Sequence, residues 1–296
     1  MAIVTGATAS GKTNLAISLA KHYGTDVISA DSRQIYKDIP IGTAAPTEEE
    51  RGSAYHHFVG MLPLDAYYSA AKYEEDVMSL LPDLFNKSSV AVMCGGSMMY
   101  VDAVVNGIDE MPTISESTRD YVLKMLENTG LEAVQAQLKI LDPDYFEIVD
   151  KSNTRRVVHA LEICLEAGMP YSHLRTGKRR ERPFKVIKFA IERPRQELFG
   201  RINRRVDEMM KSGLLEEATR ALDSGNFNSL NTVGYKEIAS YRRGEMDLST
   251  AIARIAKNTR VYAKKQLTWL AKDPSVIWLK PETSLETAIK IIDSMQ

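Results

Sequence analysis

The segment from Gly6 to Thr13 limits what this chain can fold into more than any other part of the sequence. It reads GATASGKT and fits the pattern G-x-x-x-x-G-K-[ST], which requires a buried strand before it and a helix after it. Residues 2–5 form a short apolar run, and apolar residues recur at helical spacing over residues 13–22. The segment therefore lies in the strand–loop–helix context of a phosphate-binding loop.

Each residue type in this loop suits phosphate chemistry. Glycines let the backbone wrap closely, so that successive N–H groups and the helix N-terminus point at phosphate oxygens. Lys12 adds a mobile cation, and the hydroxyl of Thr13 suits Mg²⁺, which keeps most of its waters and needs few protein ligands. The pattern predicts a di- or triphosphate ligand, but neither its identity nor its hydrolysis. The predicted phosphate-binding residues are Gly6, Ala7, Thr8, Ala9, Ser10, Gly11, Lys12 and Thr13, with Thr13 as the Mg²⁺ ligand.

Three further apolar runs predict a parallel sheet. Residues 26–30, 90–94 and 186–191 lack the alternation of a half-exposed strand and are separated by helical segments, which is typical of strands covered on both faces. The predicted fold class is α/β, with a parallel sheet core like that of the P-loop NTPases and helices on both faces.

A long helical interval separates the last two of these runs. Residues 116–166 are rich in helical patterns punctuated by glycine and proline, and residues 196–269 are helical again. We interpret residues 113–183 as a helical insertion subdomain, and residues 1–112 together with 184–296 as the core domain.

Composition excludes several classes of protein. Of the 296 residues, 44% are hydrophobic and 26% charged, as in soluble globular proteins, and no run of 18 apolar residues predicts a membrane helix. Two cysteines, Cys94 and Cys164, are too few for a disulfide framework or a zinc ribbon. No targeting segment precedes the phosphate loop and no oligomerisation signal stands out, so we expect a monomeric cytoplasmic protein without membrane contact.

The near-neutral net charge of −1 conceals an uneven distribution. From Arg175 to Arg205 there are twelve Lys and Arg against three Glu, and from Arg254 to Lys272 there are six Lys and Arg and no acidic residue. Either stretch alone is typical of a solvated helix face. Two separate basic stretches favour a polyanionic partner that contacts one part of the surface.

Polar residues follow the second and third predicted strands. In open parallel sheets, ligands bind beyond the carboxyl ends of the strands, which is where Asp31–Gln34 and Gly95–Ser97 lie. Asp31 could bind metal, accept a proton, or cap a helix that starts near Ser32. Ser97 would offer a hydroxyl to the same cleft. His56 and His57 lack metal-ligand spacing, because adjacent side chains of a strand point to opposite sides, and we interpret them as structural or as minor substrate contacts.

Taken together, the motifs resemble the bacterial tRNA dimethylallyltransferases, also called tRNA isopentenyltransferases, over nearly the whole chain. Besides the phosphate loop, the similar blocks are DSRQIY at 31–36, IGTAAP at 41–46, GGSMMY at 95–100, NTRRVVHALE at 153–162, VGYKE at 233–237 and TRVYAKKQLTW at 259–269. The phosphate loop alone is shared by many functions, whereas these blocks in this order are highly specific. The chain departs from the family pattern at Ala7 (proline in the family), Ala45 (lysine), Ser97 (threonine) and His159 (arginine).

The resemblance implies a reaction and its participants. Members of this family transfer a dimethylallyl group from dimethylallyl diphosphate to the exocyclic N6 of adenosine 37, beside the tRNA anticodon, with Mg²⁺ assisting. The diphosphate would lie on the phosphate loop, Asp31 would be the general base, and Ser97 would stand near the reacting centre. Arg201, expected to open the helix after the last strand, would be a further phosphate ligand, because guanidinium groups match phosphate oxygens. The implied tRNA-binding residues are Asp31, Ser32, Arg33, Gln34, Ser97, Arg119, Arg155, Arg156, Val157, Val158, His159, Asn231, Thr232, Val233, Gly234, Tyr235 and Lys236.

Three other functions fit parts of the sequence. An adenylate isopentenyltransferase, which prenylates free AMP, ADP or ATP, would share the phosphate loop and the carboxylate but would not need two basic stretches. A small-molecule kinase would use Lys12 and Thr13 as ATP ligands. A phosphate-loop protein that binds RNA without chemistry would not depend on Asp31.

Overall fold

A six-stranded parallel sheet forms the centre of the structure. The computed structural model describes residues 1–295. The strands are β1 (Ala2–Thr5), β2 (Val27–Ser29), β3 (His56–His57), β4 (Val92–Gly95), β5 (Ile187–Ile191) and β6 (Val276–Leu279). Their order is β3-β2-β4-β1-β5-β6, and every pair is parallel. The α/β prediction is confirmed.

Fourteen α-helices accompany the sheet over residues 1–295. The first seven are α1 (Lys12–Tyr23), α2 (Pro40–Thr43), α3 (Glu48–Ser53), α4 (Ala70–Lys87), α5 (Met98–Asn106), α6 (Glu116–Leu141) and α7 (Pro143–Ile148). The others are α8 (Thr154–Ala167), α9 (Tyr171–Leu174), α10 (Arg195–Lys211), α11 (Leu214–Ser224), α12 (Tyr235–Arg242), α13 (Leu248–Leu270) and α14 (Ser284–Asp293). No helix within residues 1–295 is long and apolar enough to cross a membrane.

The chain divides into two compact units. The larger unit comprises Met1–Val105 and Arg182–Gln296, and the smaller comprises Asn106–Glu181. In the smaller unit, α6 and α8 pack around Val122, Val134 and Leu161. Helix α6 is interrupted at Gly130, which has φ 80° and ψ 177°. Residues 121–126 and 131–138, which both have apolar residues at helical spacing, therefore lie on the two sides of this interruption.

The apolar strands are buried on both faces, as the lack of alternation predicts. Along β1, Ala2 and Val4 pack into one core with α1 and α14, whereas Ile3 packs into a second core with α4 and α5. Two strands were not predicted: β3, which has only two residues, and β6, the short apolar run VIWL near the end of the helical C-terminal part. The expectation that 186–191 is the last strand is therefore wrong, since β6 follows it.

The sheet order brings three loops to one edge. The phosphate loop follows β1, the Asp31 segment follows β2, and Gly96–Ser97 follow β4, which lies between those two strands. Strands β1 and β2 are not neighbours, because β4 separates them. The loops nevertheless share the carboxyl edge of the sheet, where ligands of such folds bind.

The close approach of β4 to β2 requires glycine at position 95. A Cβ added to Gly95 would lie 2.0 Å from the carbonyl oxygen of Ala30, and the Ala30 N–H donates to the Cys94 carbonyl at 2.7 Å. We expect Gly95→Ala to lower the free energy of unfolding by about 3 kcal/mol, because a backbone oxygen must move. Chemical denaturation measures this change.

Gly200→Ala is the matched control, since Gly200 lies inside α10 and an added Cβ there meets nothing within 4 Å. We expect it to stabilise the protein by up to about 1 kcal/mol, from helix propensity alone. Equal effects of the two substitutions would contradict the proposed collision.

Candidate active site

The phosphate loop has the shape of an anion-binding loop. Gly11 adopts φ 100° as the residue before α1, Ala9 adopts φ 63°, and the Ser10 N–H donates to the Ala7 carbonyl at 3.2 Å. A left-handed conformation costs an alanine about 1 kcal/mol, so contacts from outside the loop must hold Ala9 there. Ser10 itself is buried, at 1% exposure.

Lys12 begins α1 inside this loop. Its Nζ donates to the Ala7 carbonyl at 3.5 Å, a long hydrogen bond. Burial lowers the pKa of Lys12, while the neighbouring Cys94 and Asp31 raise it. Burial also raises the pKa of Cys94 to about 11, so this thiol stays neutral near pH 7. Burial thus disfavours the charged form of Lys12, and an anionic ligand in the loop would favour that form.

Three arginines contact successive residues of the phosphate loop. Arg205 donates to the Thr8 hydroxyl at 3.1 Å, Arg201 Nε to the Ala9 carbonyl at 2.7 Å, and Arg193 Nε to the Ser10 carbonyl at 2.6 Å. Burial lowers the pKa of Arg205, and burial followed by Arg193 lowers that of Arg201. The contact from Arg201 holds the strained Ala9 directly, and the other two contacts hold its neighbours. The three arginines also place positive charge beside the loop.

Sequence reasoning found only one of these arginines. Arg201 was expected to open its helix, but α10 begins at Arg195 and Arg201 lies well inside it. Arg205 lies one helical turn beyond Arg201, so an i, i+4 search from Arg201 would have found it. Arg193 precedes the helix and has no comparable signal.

Gln266 connects the phosphate loop to the end of β4. Its side-chain oxygen accepts the Thr8 N–H at 2.9 Å, and its Nε2 donates to the Gly96 carbonyl at 2.9 Å. Gln266 is buried, and a Cβ on Gly96 would lie 2.3 Å from its Nε2. Gln266 belongs to the TRVYAKKQLTW block, but its role was not predicted.

Asp31 forms a turn and does not cap a helix. Residues 32–35 are a turn, and Asp31 Oδ1 accepts the N–H groups of Arg33 at 2.9 Å and Gln34 at 3.3 Å. The helix expected near Ser32 is absent from this described segment. Within residues 1–295 no donor bonds the second carboxylate oxygen, Oδ2. One oxygen therefore orients the carboxylate and the other is available to a substrate proton.

Ser97 holds this turn from the neighbouring strand. Its hydroxyl accepts the Ser32 N–H at 2.9 Å and donates to the Ser32 hydroxyl at 3.2 Å. The Ser97 N–H donates to the Ala30 carbonyl at 3.1 Å. Ser97 therefore contacts the residue next to Asp31 through its hydroxyl.

The charge of Asp31 reaches both the phosphate loop and a group of tyrosines. It raises the pKa of Lys12 and of Arg205 against the larger effect of burial. Burial, followed by the Asp31 charge, raises the pKa of Tyr262 to about 12. Tyr100, whose pKa burial raises and Asp31 raises further, stacks on Tyr73 with ring centroids 4.2 Å apart. The charge of Asp31 thus acts both on cationic groups and on tyrosines of this part of the structure.

The residues implied to bind tRNA differ in accessibility. In the larger unit, Asn231 and Lys236 are exposed, Ser32, Arg33, Gln34, Thr232 and Val233 are half-buried, and Gly234 and Tyr235 are buried. In the smaller unit, Arg119, Arg155, Arg156 and His159 are exposed, Val158 is half-buried and Val157 is buried. The side chains of Val157 and Tyr235 are 0% exposed, so these two side chains face the interior of the protein.

The structure also limits how a metal could bind. Within residues 1–295, no group of three or more His, Cys, Asp or Glu side chains is arranged to hold a metal ion. A Mg²⁺ ion that keeps its waters and binds phosphate oxygens needs only one or two protein ligands. Thr13, half-buried at the start of α1, fits such a ligand, so the donor set suits a phosphate-bound Mg²⁺ and not an all-protein metal site.

Comparisons with known proteins identify the family. The family model for IPP transferase matches residues 34–273. A relative from Parabacteroides distasonis, named tRNA dimethylallyltransferase 2, is 50% identical over 282 residues, covering 95% of this chain and 94% of the relative. A relative from Phocaeicola vulgatus, named tRNA dimethylallyltransferase 1, is 48% identical over 284 residues, covering 96% and 95%.

Solved structures agree. The full-length tRNA isopentenylpyrophosphate transferase from Bacillus halodurans has a TM-score of 0.71 and 30% identity, covering 99% of this chain and 95% of that one. A eukaryotic dimethylallyltransferase acting on tRNA has a TM-score of 0.78 at 24% identity, covering 95% and 73%, and shows the shared fold. With a phosphate loop, an oriented carboxylate and these relatives, the chain belongs to the IPP transferase family.

Proposed function

We propose that this protein is a tRNA dimethylallyltransferase, which transfers the dimethylallyl group of dimethylallyl diphosphate to N6 of adenosine 37, next to the anticodon. The observation that carries the proposal is the position of Asp31, whose charge acts on Lys12 and Arg205 of the phosphate-loop region. A base for the nucleophile and cations for the leaving group therefore share one edge of the sheet. Relatives at 48–50% identity are named for the same activity.

The cationic side of the site serves the leaving group. As the bond between the allylic carbon and oxygen breaks, negative charge grows on the departing diphosphate. Lys12, the loop N–H groups and the arginines beside the loop would stabilise that charge. Mg²⁺, held by Thr13 and the diphosphate, would neutralise part of the same charge when bound.

The carboxylate serves the nucleophile. The exocyclic amine of adenine is a weak nucleophile, and its N–H acidity rises as the new N6–carbon bond forms. Asp31 Oδ2 would accept the proton that N6 loses, while the electron pair of the breaking carbon–oxygen bond leaves with the diphosphate. Atoms and charges then balance without any oxidant or further reactant.

A polyanionic substrate requires exposed cations. Arg119, Arg155 and Arg156 are exposed cations of the smaller unit, and Lys236 is one of the larger unit. Phosphate contacts of this kind supply affinity that falls as salt rises. A base beside the anticodon must leave its stack to reach the half-buried carboxylate of Asp31, at a cost of a few kcal/mol.

The principal alternative, an adenylate isopentenyltransferase, predicts a different product. We expect purified protein with dimethylallyl diphosphate and Mg²⁺ to form N6-(dimethylallyl)adenosine in unmodified tRNA and not in AMP. Mass spectrometry of nucleosides from the digested tRNA measures the product. Prenylated AMP with unchanged tRNA would establish the alternative. Tight ATP binding without any prenyl transfer would favour a kinase.

A further inference from the structure

A buried carboxylate outside the reacting groups contacts a backbone segment beside the site. Glu217, at the start of α11, is 3% exposed. Its Oε2 accepts the Ile41 N–H and its Oε1 accepts the Gly42 N–H, both at 2.8 Å. We call residues 40–44 the 40–44 segment. Two of its backbone N–H groups therefore donate to the carboxylate of Glu217.

Tyr235 completes this arrangement. Its hydroxyl donates to Glu217 Oε1 at 2.6 Å and lies 3.3 Å from the Ile39 carbonyl. Burial, followed by the charge of Glu217, raises the pKa of Tyr235, so the hydroxyl remains a donor. A Cβ on Gly42 would lie 2.4 Å from the Tyr235 hydroxyl oxygen. The tyrosine and the 40–44 segment thus fit together only with glycine at position 42.

The 40–44 segment in turn contacts both sides of the site. Gln34 Nε2 donates to the carbonyls of Thr43 at 3.2 Å and Ala44 at 2.9 Å. The Gln34 N–H donates to Asp31 Oδ1, and Arg205, which bonds Thr8 of the phosphate loop, also donates to the Ala44 carbonyl at 3.4 Å. The segment is therefore a common support for the Asp31 turn and for Arg205.

We propose that Glu217 and Tyr235 are positioning residues for prenyl transfer. They fix the 40–44 segment, and through Gln34 and Arg205 the segment fixes the carboxylate relative to the phosphate loop. This inference rests on the proposed function. It also gives the VGYKE block an internal role, in which Glu237 Oε2 accepts the Gly234 N–H at 2.8 Å and so holds the start of α12.

Tyr235→Phe is the sharpest test, because it removes only the hydroxyl. We expect kcat for tRNA prenylation to fall roughly 10- to 100-fold, the value of one hydrogen bond to a buried charge. The KM for dimethylallyl diphosphate should change less than about threefold, since the loop N–H groups that bind it are untouched. A merely structural role would lower the folded fraction and leave kcat per folded molecule unchanged.

Tyr23→Phe is the matched control. The Tyr23 hydroxyl also bonds a carboxylate, that of Asp293 at 2.8 Å, and lies 3.5 Å from the Ile289 carbonyl. This tyrosine ends α1 and takes no part in the site, so kcat should stay within about twofold of the parent value.

Hydrogen exchange provides a readout independent of activity. In Glu217→Gln and Tyr235→Phe, we expect the peptide covering residues 39–46 to exchange at least about tenfold faster, whereas Tyr23→Phe leaves it unchanged. Unchanged exchange together with unchanged kcat would overturn the inference. An inactive parent protein with the same exchange response would instead overturn the proposed function and leave the structural support of the segment intact.

Discussion

Asp31→Asn is expected to lower kcat for tRNA prenylation about 10³-fold, within the range of lost general-base catalysis. Asparagine keeps Oδ1, which accepts the N–H groups of Arg33 and Gln34, and so preserves the turn. It replaces the free oxygen Oδ2 with an amide that cannot accept the N6 proton. The loss should therefore appear in single-turnover measurements with saturating tRNA and dimethylallyl diphosphate.

Binding measurements separate a lost base from a lost fold. The dissociation constant for tRNA should change less than about threefold, because the exposed phosphate-contacting cations remain. Asp38→Asn is the control. It changes an exposed carboxylate that, like Asp31, lies between β2 and α2, and it should retain full turnover. Parent-like kcat in Asp31→Asn would exclude the carboxylate as the base.

Lys12→Met is expected to lower kcat/KM for dimethylallyl diphosphate by about 10³-fold, as for the loss of a preorganised group that stabilises a leaving group. Methionine keeps most of the volume of the lysine stem but has no charge. Steady-state kinetics with varied dimethylallyl diphosphate measures the effect. Lys21→Met, exposed on the same helix, should leave kcat/KM unchanged, and an equal loss in both variants would contradict a local role for Lys12.

The same substitution has a second signature in stability. Burial lowers the pKa of Lys12 in the folded protein from 10.5, so between the lowered value and 10.5 the unfolded chain binds the extra proton. The free energy of unfolding of the ligand-free parent should therefore rise with pH across that window. Below the window, the full cost of burying the protonated lysine lowers the stability. Lys12→Met should lose this rise and should be at least as stable as the parent at pH 7, as measured by urea denaturation.

Much of the fold follows from local patterns. Apolar runs without alternation indicated four strands of the parallel sheet, and the helix-rich interval predicted over residues 116–166 contains α6, α7 and nearly all of α8. The strand order could not be predicted, because the side chains of β1 and β2 do not reveal that β4 lies between them. The strand β3 consists of His56 and His57, and two residues are too few for a periodic signal.

Some parts of the candidate site could likewise be predicted from the sequence, and others could not. The phosphate loop and Asp31 lie within a few residues of a strand end, so their placement follows from sequence. The supporting side chains do not, because Gln266 bonds Thr8 across 258 residues and Glu217 bonds Gly42 across 175. Tyr235 lies in a block whose implied role is tRNA binding, yet its side chain is buried, and the motif alone does not indicate that burial.

Gln266 has a consequence for how the protein matures on the ribosome. The phosphate loop is synthesised early. The Thr8 N–H and the Gly96 carbonyl, however, can bond Gln266 only after most of helix α13 has been translated. Arg193, Arg201 and Arg205 arrive similarly late. A nascent chain that ends before Gln266 therefore carries the phosphate loop without the contacts that shape it, and synthesis must pass this residue before the site can be complete.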